Sequence, residues 1–295
     1  MNERIPDSIT ALHDRIELGE LVIMDGGTGS EFRRRGVEPD PVTWAAGPLI
    51  THPEVNLAIH EDYLRAGAEI IITNTFGTNP ELLAKIGLSH RAEELNRLAV
   101  VLARQAIDNV KPKQQVVVAG GIPAIATSFI EYYSDFHAQA DVLADAGVDL
   151  LIVEMATRIA DVERAVAAGV ATGVPTWAGL TCFTHEGESY MGVRSKHQPA
   201  EKTSDAARMA EEQGASVIFV MHSAVEDTVR GLESIRQVSS LPIGAYSHNA
   251  STEFVGPERY LEYARDWVRV GAQVVGGCCR TTPAHVEALT ALRNF

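Results

Sequence analysis

The stretch "AGAEIIITN", Ala66–Asn74, follows a helix-like run with a glycine and then, one turn later, with three consecutive isoleucines. A glycine in that place ends a helix, because it enters the left-handed region without steric cost. A continuous β-branched run suits a strand covered on both faces. The phrase recurs as "AGVDLLIVE" from Ala146, "QGASVIFVM" from Gln213 and "VGAQVVGGC" from Val270. Four further apolar runs read as strands of the same kind: "LVIMD" from Leu21, "VVVAG" from Val116, "TWAGLTC" from Thr176 and "PIGAYS" from Pro242. Between them lie stretches such as "PEVNLAIHEDYLRAG", "RAEELNRLAVVLARQAIDNV", "DVERAVAAGVATG" and "PERYLEYARDWVRVG", apolar at the three- and four-residue spacing of helices. Eight strands alternating with helices, undivided by any Pro/Ser-rich linker, predict an α/β protein. The expected architecture is a single (β/α)8 TIM barrel domain over residues 1–295. A doubly wound open sheet is the alternative.

Composition agrees with that size and excludes several classes. The chain has 295 residues, 45% of them hydrophobic and 22% charged, enough for a sizeable core. No apolar run reaches the roughly 18 residues of a membrane span. The N-terminal "MNERIPDSITALHDRIELGE" lacks the apolar centre of a secretory signal, so a cytoplasmic location is expected. A formal charge of −14 disfavours a nucleic-acid or anionic-membrane partner. Arg33–Arg34–Arg35 reads as a solvated helix end. Three cysteines in a reducing compartment favour metal or redox chemistry over a disulfide framework. The oligomeric state is left open.

In either α/β fold the loops at the carboxyl ends of the strands converge on one pocket. The first strand ends in "MDGGTGSEF", which puts Asp25 at the rim beside Gly26, Gly27 and Thr28, whose tight turn offers backbone N–H groups. This is also how a capped turn without function would look, and neither a Walker nor a dinucleotide pattern is present. The second strand ends in "TNTFGTN", with Asn74 and Thr75 as binding candidates or as loop stabilisers. Glu154 closes the apolar "LIVEM"; such a carboxylate must be paired, protonated or given a cationic ligand. Its alternatives are a substrate amine and an ion pair with Arg158. The fifth strand ends at Cys182, the sixth in "VMHSAVED" with His222 and Ser223, and the seventh in "AYSHNAS" with His248 and Asn249.

The eighth strand ends in "GGCCR". In a regular strand Cys278 and Cys279 point to opposite faces, so a shared ion requires the strand to break, and Gly276 and Gly277 permit that. A thiolate pair at a pocket mouth suits zinc with an open position. A strained vicinal disulfide and two buried thiols are the other readings.

The segments "DGGTGSEF", "AGAEIIITNTF", "AGVDLLIVE", "YSHNAS" and "GGCCRTTPAH" resemble, in order and over nearly the whole chain, the signatures of the homocysteine S-methyltransferase family. The likeness extends to the enzymes using S-methylmethionine or S-adenosylmethionine, to the homocysteine domain of cobalamin-dependent methionine synthase and to the betaine-dependent enzymes. It implies a (β/α)8 barrel in which zinc holds homocysteine as thiolate for attack on a positively charged methyl donor, as in methionine biosynthesis. By that resemblance Cys278 and Cys279 match two zinc ligands, Asp25 and Glu154 match acidic positions near the substrate amino group, and Asn249 matches the asparagine of the seventh-strand motif. The implied partners are a small-molecule thiol and a methyl donor.

One position departs. The family's third zinc cysteine follows an Asn at the end of the sixth strand, where this chain has His222 and Ser223. Candidates for the missing ligand are His222, His248, Cys182 and Ser223, taking the cysteine's own place. His222 faces away from the direction of Ser223 unless the strand bulges, and Cys182 lies a strand further off. Losing one thiolate makes the centre less anionic, which predicts a less nucleophilic bound sulfur. The segment "GGIPAIATSFIEYY", 120–133, also departs from the family's Gly-Pro beginning, which puts the donor pocket in question.

Overall fold

A computed structural model describes residues 7–124, 135–194, 196, 198–249 and 254–295. Its strands are β1 (Val22–Ile23), β2 (Ile70–Ile72), β3 (Val117–Pro123), β4 (Leu150–Ala156), β5 (Thr176–Leu180), β6 (Cys182–His185), β7 (Glu188–Met191), β8 (Val217–Ala224), β9 (Ile243–His248) and β10 (Ala272–Gly277). Eight of them form one parallel sheet in the order β1-β10-β9-β8-β5-β4-β3-β2. The parallel bridge Met24↔Ile70, with Asp25 N–H donating to the Ile70 carbonyl at 3.0 Å, joins the two ends. The result is the expected (β/α)8 barrel. Helices including Pro53–Arg65, Ala92–Val110, His137–Asp145, Ile159–Ala171, Thr203–Glu212, Val225–Arg236, Pro257–Arg269 and Pro283–Leu289 return the chain from one strand to the next.

The recurring glycines do what the phrase predicts: Gly67, Gly147, Gly214 and Gly271 have φ between +81° and +101° and turn each helix into its strand. The strand residues then divide between two cores. Ile70, Ile72, Ile152, Phe219 and Val274 fill the barrel interior, whereas Ile71, Leu151, Val153 and Val275 pack beneath the helices. The base of the barrel is closed by the helix Asp7–Glu17, whose Ile9, Leu12 and Ile16 join the interior core. His13 of that helix stacks on Trp177 and accepts its indole N–H at 3.2 Å. All this leaves the opposite, carboxyl end as the open one.

Two expectations change. The fifth barrel strand stops at Leu180, and Cys182 begins an antiparallel hairpin of β6 and β7 instead of closing that strand. Of the three consecutive arginines, Arg33 and Arg34 are exposed as expected, whereas Arg35 is largely covered; Arg34 and Arg35 both bind the buried carboxylate of Glu31. The 125–134 part of the third-strand segment lies outside the described residues. No described helix is long and apolar enough to cross a membrane.

Candidate metal centre

β10 stays regular through Gly277, so the expected break is not at the glycines; neither Gly276 nor Gly277 has positive φ. The chain turns just afterwards. The Cys278 carbonyl accepts the Thr281 N–H at 3.2 Å and its hydroxyl at 2.6 Å, and Arg280 has φ +64°. Ser30 fixes the same turn by accepting the Arg280 N–H at 3.0 Å. Both cysteine side chains thereby reach the same side, with sulfurs 4.0 Å apart.

The third group comes from β8. Its register with β9 shifts between Met221 and Ala224, and within that bulge His222 has φ +50°. A non-glycine residue pays for that conformation with strain, and the strain turns the imidazole inward. His222 Nδ1 lies 3.4 Å from Cys278 Sγ and 3.6 Å from Cys279 Sγ. Among the described residues these three form the one group whose ligand atoms all lie within 4.8 Å of one another. Tetrahedral zinc with ordinary bond lengths separates two sulfurs by about 3.8 Å and a nitrogen from a sulfur by about 3.6 Å. The observed triangle matches that ion without rearrangement.

The other candidates for the missing ligand fall away from this point or beside it. Ser223 is turned into the core, where its hydroxyl accepts the Cys182 N–H at 2.9 Å and lies 3.5 Å from Cys182 Sγ. Burial pushes the Cys182 thiol up, as suits a structural cysteine. The His248 ring lies tilted against that of His222, centroids 4.7 Å apart, and supports the Cys279 sulfur, but stands outside the triangle. Within the pair, the hydrogen bond from the Cys278 thiol, together with His222 and His248, pushes the Cys279 thiol downward. Cys278 is correspondingly pushed up, first by that hydrogen bond and then by burial.

Two buried carboxyls flank the cysteines. Asp25 Oδ2 accepts the Ile72 N–H at 2.8 Å, and burial drives its pKa well upward, with Glu154 adding to the rise. Glu154 is pushed up to about 8 by burial and then by Cys279. The suggested partner Arg158 binds Asp161 instead, at 2.7 Å. Room for the Glu154 carboxyl is made by Gly121, where any Cβ would collide with Oε2.

A model of the homocysteine S-methyltransferase family matches residues 22–292. The homocysteine S-methyltransferase of Escherichia coli is 26% identical over 92% of this chain and 95% of its own. Betaine–homocysteine S-methyltransferase 1 of Danio rerio is 29% identical over 96% of this chain and 76% of its own. Among solved structures, the metallated form of the E. coli homocysteine methyltransferase MmuM superposes with a TM-score of 0.78 at 25% identity, covering 97% of this chain and 100% of that one. The chain belongs to the homocysteine S-methyltransferase family. Methyl transfer to a thiol is the chemistry of that family, and the fold and the order of the motifs agree with it.

Several polar residues that sequence reasoning offered for substrate contacts are spent on holding this family's site together. Asn74 Nδ2 donates to the Ala45 carbonyl at 3.0 Å and to Asn56 at 2.8 Å, and the Thr75 hydroxyl donates to the Gly121 carbonyl at 2.8 Å. These bonds hold the loop after β2 in place. Asn249 is a latch: its backbone N–H donates to the Cys279 carbonyl, and its amide ties Val255, Arg280 and His285 together. Gly27 gives its N–H to Thr281 Oγ1 at 3.2 Å, Gly26 packs on Tyr63 and Thr281, and Thr28 starts the helix Thr28–Arg34. Residues missed from sequence include Ser30 and Thr281, which shape the cysteine turn, and Tyr246, whose inward direction follows only from the alternation along β9.

Proposed function

We propose that this protein is a zinc-dependent thiol methyltransferase whose acceptor is homocysteine or a closely similar amino-acid thiol and whose donor carries its methyl on a sulfonium or ammonium centre. The convergence of His222 Nδ1 with Cys278 and Cys279 is the observation that carries the reading. Zinc held by these residues supplies a Lewis acid that takes the acceptor sulfur as thiolate at neutral pH. The chain's own contribution is to place that sulfur. Cys278 and Cys279 are aimed by the turn on Thr281, and His222 by its bulge. Asp25 and Glu154 are buried without a cationic partner among the described residues, and an ammonium group is the ligand that relieves both. Transfer then requires alignment and exclusion of water more than proton transfer.

On the donor side, half-buried Trp44 and Phe76 meet edge to face at 5.2 Å on the segments following β1 and β2. Aromatic faces of this kind attract an onium carbon while shedding its water. Asp25 and Glu154 are assigned to the acceptor's amine, Gly26, Gly27 and Thr28 to the wall behind it, and the domain spans the full 1–295.

Zinc content and turnover test the reading. Protein dialysed against zinc is expected to hold about one ion per chain. The loaded protein is expected to methylate homocysteine from at least one of S-methylmethionine, S-adenosylmethionine and betaine. A chain that stays metal-free with its thiols reduced, or that loads zinc and transfers no methyl from any of the three, sinks the proposal.

A further inference from the structure

Among the described residues three tyrosines are fully or nearly fully buried, and the fold treats one of them differently. The Tyr63 hydroxyl donates toward the Thr281 and Gly27 carbonyls, at 3.1 and 3.3 Å, and the Tyr260 hydroxyl toward the Ser247 and Gly276 carbonyls, each at 3.0 Å. Tyr246 is 2% exposed, yet its hydroxyl oxygen is buried with no partner among the described residues. A buried hydroxyl left unpaired is costly, so a native fold that satisfies two others and not this one marks a place for a ligand.

The position of Tyr246 says which ligand. It stands near the carboxyl end of β9, opposite Met221 on β8 and Gly276 on β10, and its ring points into the barrel beside Met24, Ile72 and Met221. The ring of Phe219 meets it edge-on at 5.3 Å, which fixes its direction. Burial first, and then Glu154, Cys278 and Asp25, raise the phenol well above its usual range, so it stays neutral. The hydroxyl thus lies toward the same end of the barrel as both carboxyls and the candidate metal centre, and feels their charge.

An ammonium group has three N–H donors and no acceptor, and in a closed pocket each donor needs an oxygen. Asp25 and Glu154 supply two. We infer that Tyr246 supplies the third oxygen for the ammonium group of the acceptor, so that the pocket selects α-amino thiols over thiols of the same length without the amine. This rests on the proposed function and deepens it. The hydroxyl accepts one N–H of the ammonium group.

Calorimetry on zinc-loaded protein tests the role, using homocysteine and its des-amino analogue 4-mercaptobutanoate. Wild-type protein should bind homocysteine more tightly. Tyr246→Phe should weaken homocysteine about tenfold, leave 4-mercaptobutanoate unchanged and leave the melting temperature undiminished. The ratio of the two affinities within one variant is insensitive to any general loosening of the pocket. Equal weakening of both thiols, or no weakening of homocysteine, overturns the inference. Glu154→Gln separates it from the reading beneath it: a preference lost in Glu154→Gln and kept in Tyr246→Phe removes Tyr246 alone. A wild-type protein that binds the two thiols equally removes the ammonium site itself.

Discussion

The two ends of the barrel handle buried acids in opposite ways. At the base, Glu69 precedes β2 and is held by Arg15 at 2.7 Å and Arg293 at 2.6 Å; Asp149 precedes β4 and is held by Arg104 at 2.8 Å, with the Val118 N–H at 2.7 Å. At the mouth, Asp25 follows β1 with one backbone N–H, and Glu154 lies near the end of β4 with no ion pair among the described residues. All four are at most 9% exposed. Burial alone therefore does not distinguish structural from functional carboxylates. The supply of a cation separates them: the fold completes the base pairs itself, whereas among the described residues the mouth pair has none, which is what the proposed ammonium site requires. At the mouth Met155, His222 and Arg280, at the ends of β4, β8 and β10, all have positive φ.

The largest expected effect sharpens the mouth side. Cys279→Ala removes one of the two sulfur ligands, so zinc should be lost and methyl transfer should fall by about a thousandfold or more. The melting temperature of the metal-free form should barely move, because mouth residues contribute little to the barrel core. Metal analysis with activity and melting curves reads this; transfer that persists in zinc-free Cys279→Ala breaks the assignment.

At the base the reverse pattern is expected. Glu69→Ala strips two arginines of their partner, and removing one member of a buried pair costs about 3–5 kcal/mol. Arg15 and Arg293 are 30% and 36% exposed, so water recovers part of that and about 2–4 kcal/mol should remain. Urea unfolding measures it. Homocysteine affinity should be unchanged, and a selective loss of affinity would mean that the two ends are not independent.

Glu154→Gln should lie between these and change sign between stability and binding. The folded carboxyl titrates near 8, against 4.5 ordinarily. Below the unfolded value both states are protonated and nothing is lost. As pH rises from about 4.5 to 8 the unfolded chain gives up the proton and the folded one keeps it, so wild-type stability falls through that window. Glutamine has no such proton, so the metal-free variant should match wild type near pH 4.5 and be about 2–4 kcal/mol more stable at pH 8. Zinc should shrink the gap, since a nearby cation favours the carboxylate. Homocysteine binding should weaken by about 1.5–3 kcal/mol. A variant less stable than wild type at pH 8 would place Glu154 with the base acids.

Much of this was legible because it was local. A helix, a glycine and a β-branched run are sequence neighbours, so eight strands could be read and the cysteines placed at the mouth. Direction was not legible where it depends on a bulge. Nothing in "VMHSAVED" reveals that His222 takes φ +50° and trades places with Ser223 in facing the site. Nor could Asn74 and Thr75 be separated from binding residues, because their partners Asn56 and Gly121 lie 18 and 46 positions away. Cys182 was misplaced because the apolar run "TWAGLTC" continues across the end of β5 into the hairpin.

That exchange of facing between neighbours gives the smallest predicted effect and the sharpest test of the mouth. If the sixth barrel strand were regular, Ser223 would take the position of the missing ligand, and Ser223→Cys would add a third sulfur to the metal. In the bulged strand Ser223 accepts the Cys182 N–H at 2.9 Å and can donate to the Met221 carbonyl at 3.2 Å, away from the metal. A thiol there is longer and a weaker hydrogen-bonding group, so Ser223→Cys should cost about 1 kcal/mol of stability and leave zinc affinity unaltered. X-ray absorption should still count two protein sulfurs on the zinc. His222→Cys, one residue earlier, should raise the count to three and make the centre more anionic. A third sulfur in Ser223→Cys with none in His222→Cys would show that β8 runs regularly in solution, and His222 would then lose its place as ligand.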